Sequence, residues 1–237
     1  MEKYFIGPPF GNYLTKIPGI IPIKGSYTLK PREGLWGQVF NTLRYKYKYG
    51  GFVNKIGLRN NGIDYGIKNY KDGEILSVAV LDPSEIPKLI KKIPKNIDLE
   101  LNVSCPNVDK NYKTIDLQGF LNDERKWCIL KLDPLCKVKT VDDYYNQGFR
   151  QFHCSNTLPV PEGGLSGNAL ILYNKILISQ LRKRYYDIEI IGGGGIKRLS
   201  NIEQYRNFGA NHFAFSTVAF CPYLIGKLYW NIRSSTR

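Results

Sequence analysis

An alternation along the chain constrains the fold more than any single motif. From residue 74 onward, short apolar runs take turns with segments of helical spacing. Residues 74–81 (EILSVAVL), 98–103 (DLELNV), 127–132 (WCILKL), 149–154, 188–191 and 211–215 read as strands. Residues 84–93, 114–125, 141–147, 168–186 and 200–208 read as the helices between them, and 218–232 as a last helix that Pro222 bends or delays. Pro87 must sit in the first turn of its helix, and Ser200 is the expected N-cap of another. Strands joined through helices pair in parallel. These six, with residues 5–6 and 21–23, make eight and predict an α/β protein, a single (β/α)8 TIM barrel forming one domain over residues 1–237. An open doubly wound sheet is the competitor, disfavoured because residues of functional character cluster at the C-terminal end of nearly every strand. Residues 10–20, with Pro18 and two glycines, are too short for an ordinary first helix. Residues 44–55 (RYKYKYGGFVNK) alternate aromatic and basic side chains around Gly50-Gly51 and predict a β-hairpin insertion near the C-terminal mouth. An RNA-stacking surface is the sharper alternative for the same stretch.

Charge and cysteine usage narrow the function classes. The net charge is +14, from 34 basic and 20 acidic residues. The lysines are spread along the chain, and the densest groups fit solvated helix faces or ends: Lys88, Lys91, Lys92 and Lys95, then Arg182, Lys183 and Arg184 opposing a helix dipole. This disfavours a nucleic-acid partner and leaves a positive field that draws small anions. Cys105, Cys128, Cys136, Cys154 and Cys221 are scattered, odd in number and never spaced Cys-x-x-Cys, so neither a zinc site nor a disulfide framework is indicated. With His153 and His212 far apart, no metal is expected. No apolar run approaches the ~20 residues of a membrane span, and residues 1–10 lack the pattern of a secretory signal. A cytoplasmic location without membrane association is the default expectation.

Two ends of a site can be read from the strand ends. Residues 190–196 (IIGGGGI) place four glycines directly after a buried strand, where they serve poorly for packing but let backbone amides approach a phosphate. Ser216 and Thr217 follow the next strand, and barrel phosphate sites commonly use the loops after strands seven and eight. Residues 162–167 (EGGLSG) resemble a flexible loop able to wrap a cofactor. At the other end, residues 101–107 (LNVSCPN) bracket Cys105 with asparagines. Amide side chains suit the edges of an amide-containing ring, and a thiol with pKa ~8.5 needs modest help to act as a base. Asn54 and Asn156 end other elements, as do Lys24 and Lys131, which could hold negative charge on a cofactor ring.

The segments KGSYTLKPREG, NKIGLRNNGIDY, LNVSCPN, LKLDP, SNT followed by GGLSG, IIGGGGI and STVAF occur in the order found in dihydroorotate dehydrogenases and cover roughly residues 21–222. The chain resembles that family in its soluble, cysteine-base form, as a compact member. The resemblance implies a flavoprotein oxidoreductase of pyrimidine biosynthesis that binds flavin mononucleotide (FMN) and converts dihydroorotate to orotate, a CH–CH oxidation. It implies Cys105 as base; Asn54, Gly57, Leu58, Asn102, Asn107, Asn156 and Thr157 around the substrate; Lys24 and Lys131 beside the flavin; and Gly164, Ser166, Gly167, Gly194, Gly195, Ser216 and Thr217 around its phosphate. A fixed cation at Lys131 would stabilise the negative charge of the reduced ring. The chain departs from the pattern in a shortened first β/α unit, a shortened loop after SCPN, Ser216 where glycine is usual and Gly25 in place of Ser or Thr. Two other readings stay open: a dihydrouridine synthase-like reductase of tRNA, and a flavin-binding barrel that has lost turnover. Fumarate as acceptor would need nothing further; a nicotinamide would need a partner carrying iron–sulfur and flavin groups, since no cluster-binding cysteine spacing is present. A homodimer is the analogy from soluble relatives.

Overall fold

In a computed structural model that describes residues 1–103, 115–154 and 156–235, eight parallel strands close into a barrel. They are β1 (Tyr4–Ile6), β2 (Ile20–Tyr27), β3 (Ile75–Ala79), β4 (Leu99–Asn102), β5 (Cys128–Leu132), β6 (Gln151–Cys154), β7 (Glu189–Gly193) and β8 (His212–Phe215). Each pairs with its chain-order neighbours, and β8 closes on β1. Successive side chains point to opposite faces. Phe5, Ile23, Ile75, Trp127, Ile129, Ile191 and Ala214 accordingly form one buried cluster at the barrel centre, with Phe5 and Trp127 edge-on at 5.3 Å. Their neighbours Leu76, Leu101, Leu130, Phe152, Ile190 and Phe213 join the larger cluster between strands and helices.

The helices largely follow the sequence reading. Ile86–Lys92 carries Pro87 in its first turn, and Val138–Asn146, Leu170–Arg184 and Leu199–Asn207 cover their strands. The last helix, Pro222–Ser235, begins at the proline after a 3-10 turn over Thr217–Phe220. None of the helices among the described residues is long and apolar enough to cross a membrane.

Three expectations are corrected. Residues 115–125 hold only a 3-10 turn, Gln118–Phe120, instead of the helix read over 114–125. Asp116 and Asn122 accept hydrogen bonds from backbone amides two or three residues on, which favours turns over helix. Ser200 lies inside its helix; Arg198 stands at the N-cap, and the Asn201 side chain accepts from the Lys197 amide. Residues 162–167 are no flexible loop: Gly163–Gly167 is a strand, paired antiparallel with both Gly51–Asn54 and Leu158–Val160.

The expected hairpin, Arg44–Lys46 with Gly51–Asn54, is thereby extended to a four-stranded cap sheet. Val53, Leu158, Leu165 and Leu170 give it a small core. Phe52 fastens it to the barrel mouth by stacking 4.5 Å from Phe220, just beyond β8.

Ile129 is fully buried at the barrel centre. Its replacement by alanine is expected to cost about 2–5 kcal/mol, read as a lower urea midpoint with an unchanged slope.

Candidate active site

Period-two alternation sends Glu100 and Asn102 of β4 to the same face as Ser77 of β3, Lys131 of β5 and His153 of β6. The Glu100 side chain is completely buried. One carboxylate oxygen accepts from Ser77 Oγ at 2.9 Å and lies 3.3 Å from Lys131 Nζ; the other is 2.7 Å from His153 Nδ1. Burial alone would raise the pKa of Glu100. The Lys131 charge, the His153 bond and the Ser77 bond outweigh it and hold the acid at about 2. Burial dominates at His153 and pushes its pKa down, so the ring is neutral at neutral pH despite Glu100. An ionised carboxylate only accepts, so the proton of the ring is on Nδ1 and Nε2 is left as an acceptor. That nitrogen faces Gly193 so closely that a Cβ there would come within 2.7 Å of it.

From the same carboxylate a line of hydrogen bonds leads to the mouth. Ser77 Oγ is 2.8 Å from Ser26 Oγ, Asn102 Nδ2 donates to Ser26 Oγ at 3.2 Å, and Asn156 Nδ2 donates to Asn102 Oδ1 at 3.0 Å. The Thr157 amide donates to Asn156 Oδ1 at 2.9 Å. Thr157 also abuts Gly164, where a Cβ would meet its hydroxyl at 2.6 Å, and Asn54 Nδ2 reaches the Gly164 carbonyl at 3.5 Å. Asn54, Thr157 and Gly164 thus meet where the cap sheet covers the strand ends. Gly57 and Leu58 both have positive φ, 67° and 56°; this is uncommon for a leucine. Arg32 Nε donates to the Gly57 carbonyl and Asn60 Nδ2 to that of Leu58, which fixes the turn.

The glycines after β7 serve several purposes. Gly192 packs against Tyr205 and Ala210, so packing is one reason for the run, contrary to the sequence reading. Gly195 has φ 76°, and a Cβ on it would strike Ile171 and the Gly167 carbonyl. Asn174 Nδ2 donates to the Gly193 carbonyl at 3.0 Å and the Tyr205 hydroxyl to that of Gly194 at 2.7 Å, holding these carbonyls from the helix side. Beside them, Ser216 follows β8 and donates to the Pro8 carbonyl at 2.9 Å, while Thr217 opens the 3-10 turn. Gly194, Gly195, Gly167, Ser216 and Thr217 therefore gather at the ends of β7 and β8. Ser166 Oγ donates to the Phe52 carbonyl within the cap sheet.

Lys24 does not join this group. Ile23 faces inward, so Lys24 faces outward, 2.7 Å from Glu74 Oε2 and 3.3 Å from the Asn69 carbonyl, beside the N-terminal end of β3. Cys105, Asn107 and the loop after SCPN lie outside the described residues. Sequence reasoning passed over Glu100, Ser77, Ser26, His153, Asn174 and Tyr205. The available signal was an acid two residues before Asn102, on the inward face of an apolar strand.

The fold and mouth define a parallel (β/α)8 barrel with a charged and amide-lined centre and a glycine–hydroxyl rim. None of the protein-family models matches the chain. The catalytic subunit of dihydroorotate dehydrogenase B (NAD(+)) from Halalkalibacterium halodurans is 29% identical over 250 residues, which cover 89% of this chain and 80% of that protein. The protein of the same name from Bacteroides fragilis is 25% identical over 252 residues, covering 90% and 80%. A solved Eimeria tenella dihydroorotate dehydrogenase, in complex with ferulenol, shares the fold with a TM-score of 0.70 at 17% identity, over 92% of this chain and 75% of that one. The chain is similar along most of its length to catalytic subunits of dihydroorotate dehydrogenase B and shares their relatives' barrel fold.

Glu100 and His153 both have folded pKa values below their ordinary 4.5 and 6.5. Each therefore contributes stability above its unfolded pKa that is lost on acidification. Urea unfolding at stepped pH is expected to show stability falling from near 6.5 downward. Glu100→Gln should flatten the part of that fall between 4.5 and about 2.

Proposed function

We propose that the protein is a dihydroorotate dehydrogenase that oxidises dihydroorotate to orotate with FMN as hydride acceptor, in pyrimidine biosynthesis, and that residues 1–237 act as one barrel domain. The observation that carries this reading is the meeting, at one mouth, of a partly buried cation, Lys131, and the Asn102–Asn156 amide pair with the glycine and hydroxyl rim of β7 and β8. A ring with an anionic edge and a phosphate matches that donor set: ammonium and amides at one end, backbone amides freed by the left-handed Gly194 and Gly195 with hydroxyls at the other. Lys131 would hold the ring's charge, and Gly194, Gly195, Ser216, Thr217 and Gly167 the phosphate. When bound, the flavin supplies a two-electron acceptor.

The remaining roles belong to the chain itself. Asn54, Asn102, Asn107, Asn156 and Thr157 would orient the pyrimidine ring and its carboxylate, with the Gly57–Leu58 turn beside them. Cys105 would take one proton from dihydroorotate while the hydride, carrying both electrons, leaves for the cofactor. The cap sheet would keep water from that transfer. Similarity to proteins named as NAD(+)-type catalytic subunits favours nicotinamide as the final acceptor, reached through a partner protein.

Anaerobic absorbance tests the reading. Purified yellow protein is expected to bleach on addition of dihydroorotate. In Cys105→Ala the flavin should stay bound and its reduction slow by about 10²–10⁴-fold at neutral pH. Bound flavin that stays oxidised in the parent protein contradicts the substrate. A chain that takes up no FMN contradicts the cofactor.

A further inference from the structure

We propose that Glu100 is the positioning residue of the whole mouth, anchoring the Lys131 ammonium directly and orienting the Asn102 and Asn156 amides through Ser77 and Ser26. The inference deepens the dihydroorotate dehydrogenase reading and rests on it for the identity of the two ligands.

The direction of each bond follows from what each group can donate. The Glu100 carboxylate has no proton to give, so Ser77 spends its only O–H on it. Ser77 can then only accept from Ser26, which spends its own O–H there. Ser26 in turn can only accept, and Asn102 must present its NH₂ group to it, as observed. This leaves Asn102 Oδ1 to accept from Asn156 Nδ2, and Asn156 Oδ1 to accept from the Thr157 amide. One buried charge thus decides which way two amides face, although neither touches it. A neutral acid in its place would carry a proton and could reverse the line.

The second oxygen works in parallel. By accepting from His153 Nδ1 it fixes that ring's tautomer, and the neutral ring adds no second cation beside Lys131. Lys131 is then opposed by one full negative charge 3.3 Å away. Such a pair moderates the field that Lys131 casts on a bound ring. Removal of the carboxylate charge would leave the ammonium uncompensated in a partly buried setting and stabilise an anionic reduced ring further.

The two arms separate by mutation. The measurements are the midpoint potential of bound FMN and the dissociation constant of orotate, read from its perturbation of the flavin spectrum. Glu100→Gln is expected to move the potential in the positive direction and to weaken orotate roughly tenfold or more. Ser77→Ala cuts the amide arm and removes the smallest of the supports of the Glu100 charge, leaving Lys131 and His153 on it; it should weaken orotate similarly and shift the potential far less than Glu100→Gln does. Glu100→Asp, which keeps the charge, should restore the potential toward the parent. A parent-like potential and orotate affinity in Glu100→Gln would overturn the proposal, as would a parent-like orotate affinity in Ser77→Ala. The Ser77→Ala result decides the matter if Glu100→Gln fails to fold. FMN uptake with no orotate perturbation in the parent protein would overturn the underlying substrate reading, and the amide arm with it, while the potential still tests the Lys131 arm.

Discussion

A carboxylate buried completely inside the barrel is the interaction on which the mouth depends. An isolated charge at such depth would be prohibitively costly, and the site exists only because Lys131, His153 and Ser77 converge on it from three other strands. That requirement sets the inward face of β3, β4, β5 and β6 at one level. It also fixes the end of β7, because the imidazole that serves Glu100 leaves no room for a side chain at Gly193. Below this layer the barrel is apolar, with Phe5, Ile75, Trp127, Ile129 and Ile191 filling the centre. The polar layer is therefore a floor on which any ligand at the strand ends would rest.

The rim is built by a different economy of contacts. Asn174 and Tyr205 use side-chain donors to hold two glycine carbonyls from behind, and Ser216 ties the end of β8 to the loop after β1. The cap sheet then closes one side, where the Gly167 carbonyl approaches Gly195 too closely for a side chain at position 195. Rigid strands thus supply the charged end and the amide end, while a two-hairpin sheet supplies the cover.

Much of this architecture was legible in the sequence because period-two runs and helical spacing are local signals. The eight strands were recoverable for that reason, as was the gathering of Gly194, Gly195, Ser216 and Thr217. What escaped reading depends on contacts across the fold. The strand over Gly163–Gly167 looks like a loop by composition, and only its pairing with Gly51–Asn54 makes it one edge of a ladder. Asp116 and Asn122 turned an apparently helical stretch into turns through their own side chains. Lys24 reads as a strand-end cation, yet it sits within β2, on the outward face and paired with Glu74. Glu100 was hidden by its own strand: a single acid in an apolar run looks like a surface residue until its inward face is known.

The central claim is that the ends of β7 and β8 grip a phosphate while the Glu100–Lys131 centre faces the ring. The most direct measurement compares FMN with riboflavin, which lacks only the phosphate, by quenching of flavin fluorescence on titration with the protein. Two charge-assisted hydrogen bonds at about 1.5–3 kcal/mol each would favour FMN by roughly a hundredfold or more, and the account predicts a preference of that size. Equal affinity for the two flavins, or no binding of either, would contradict it.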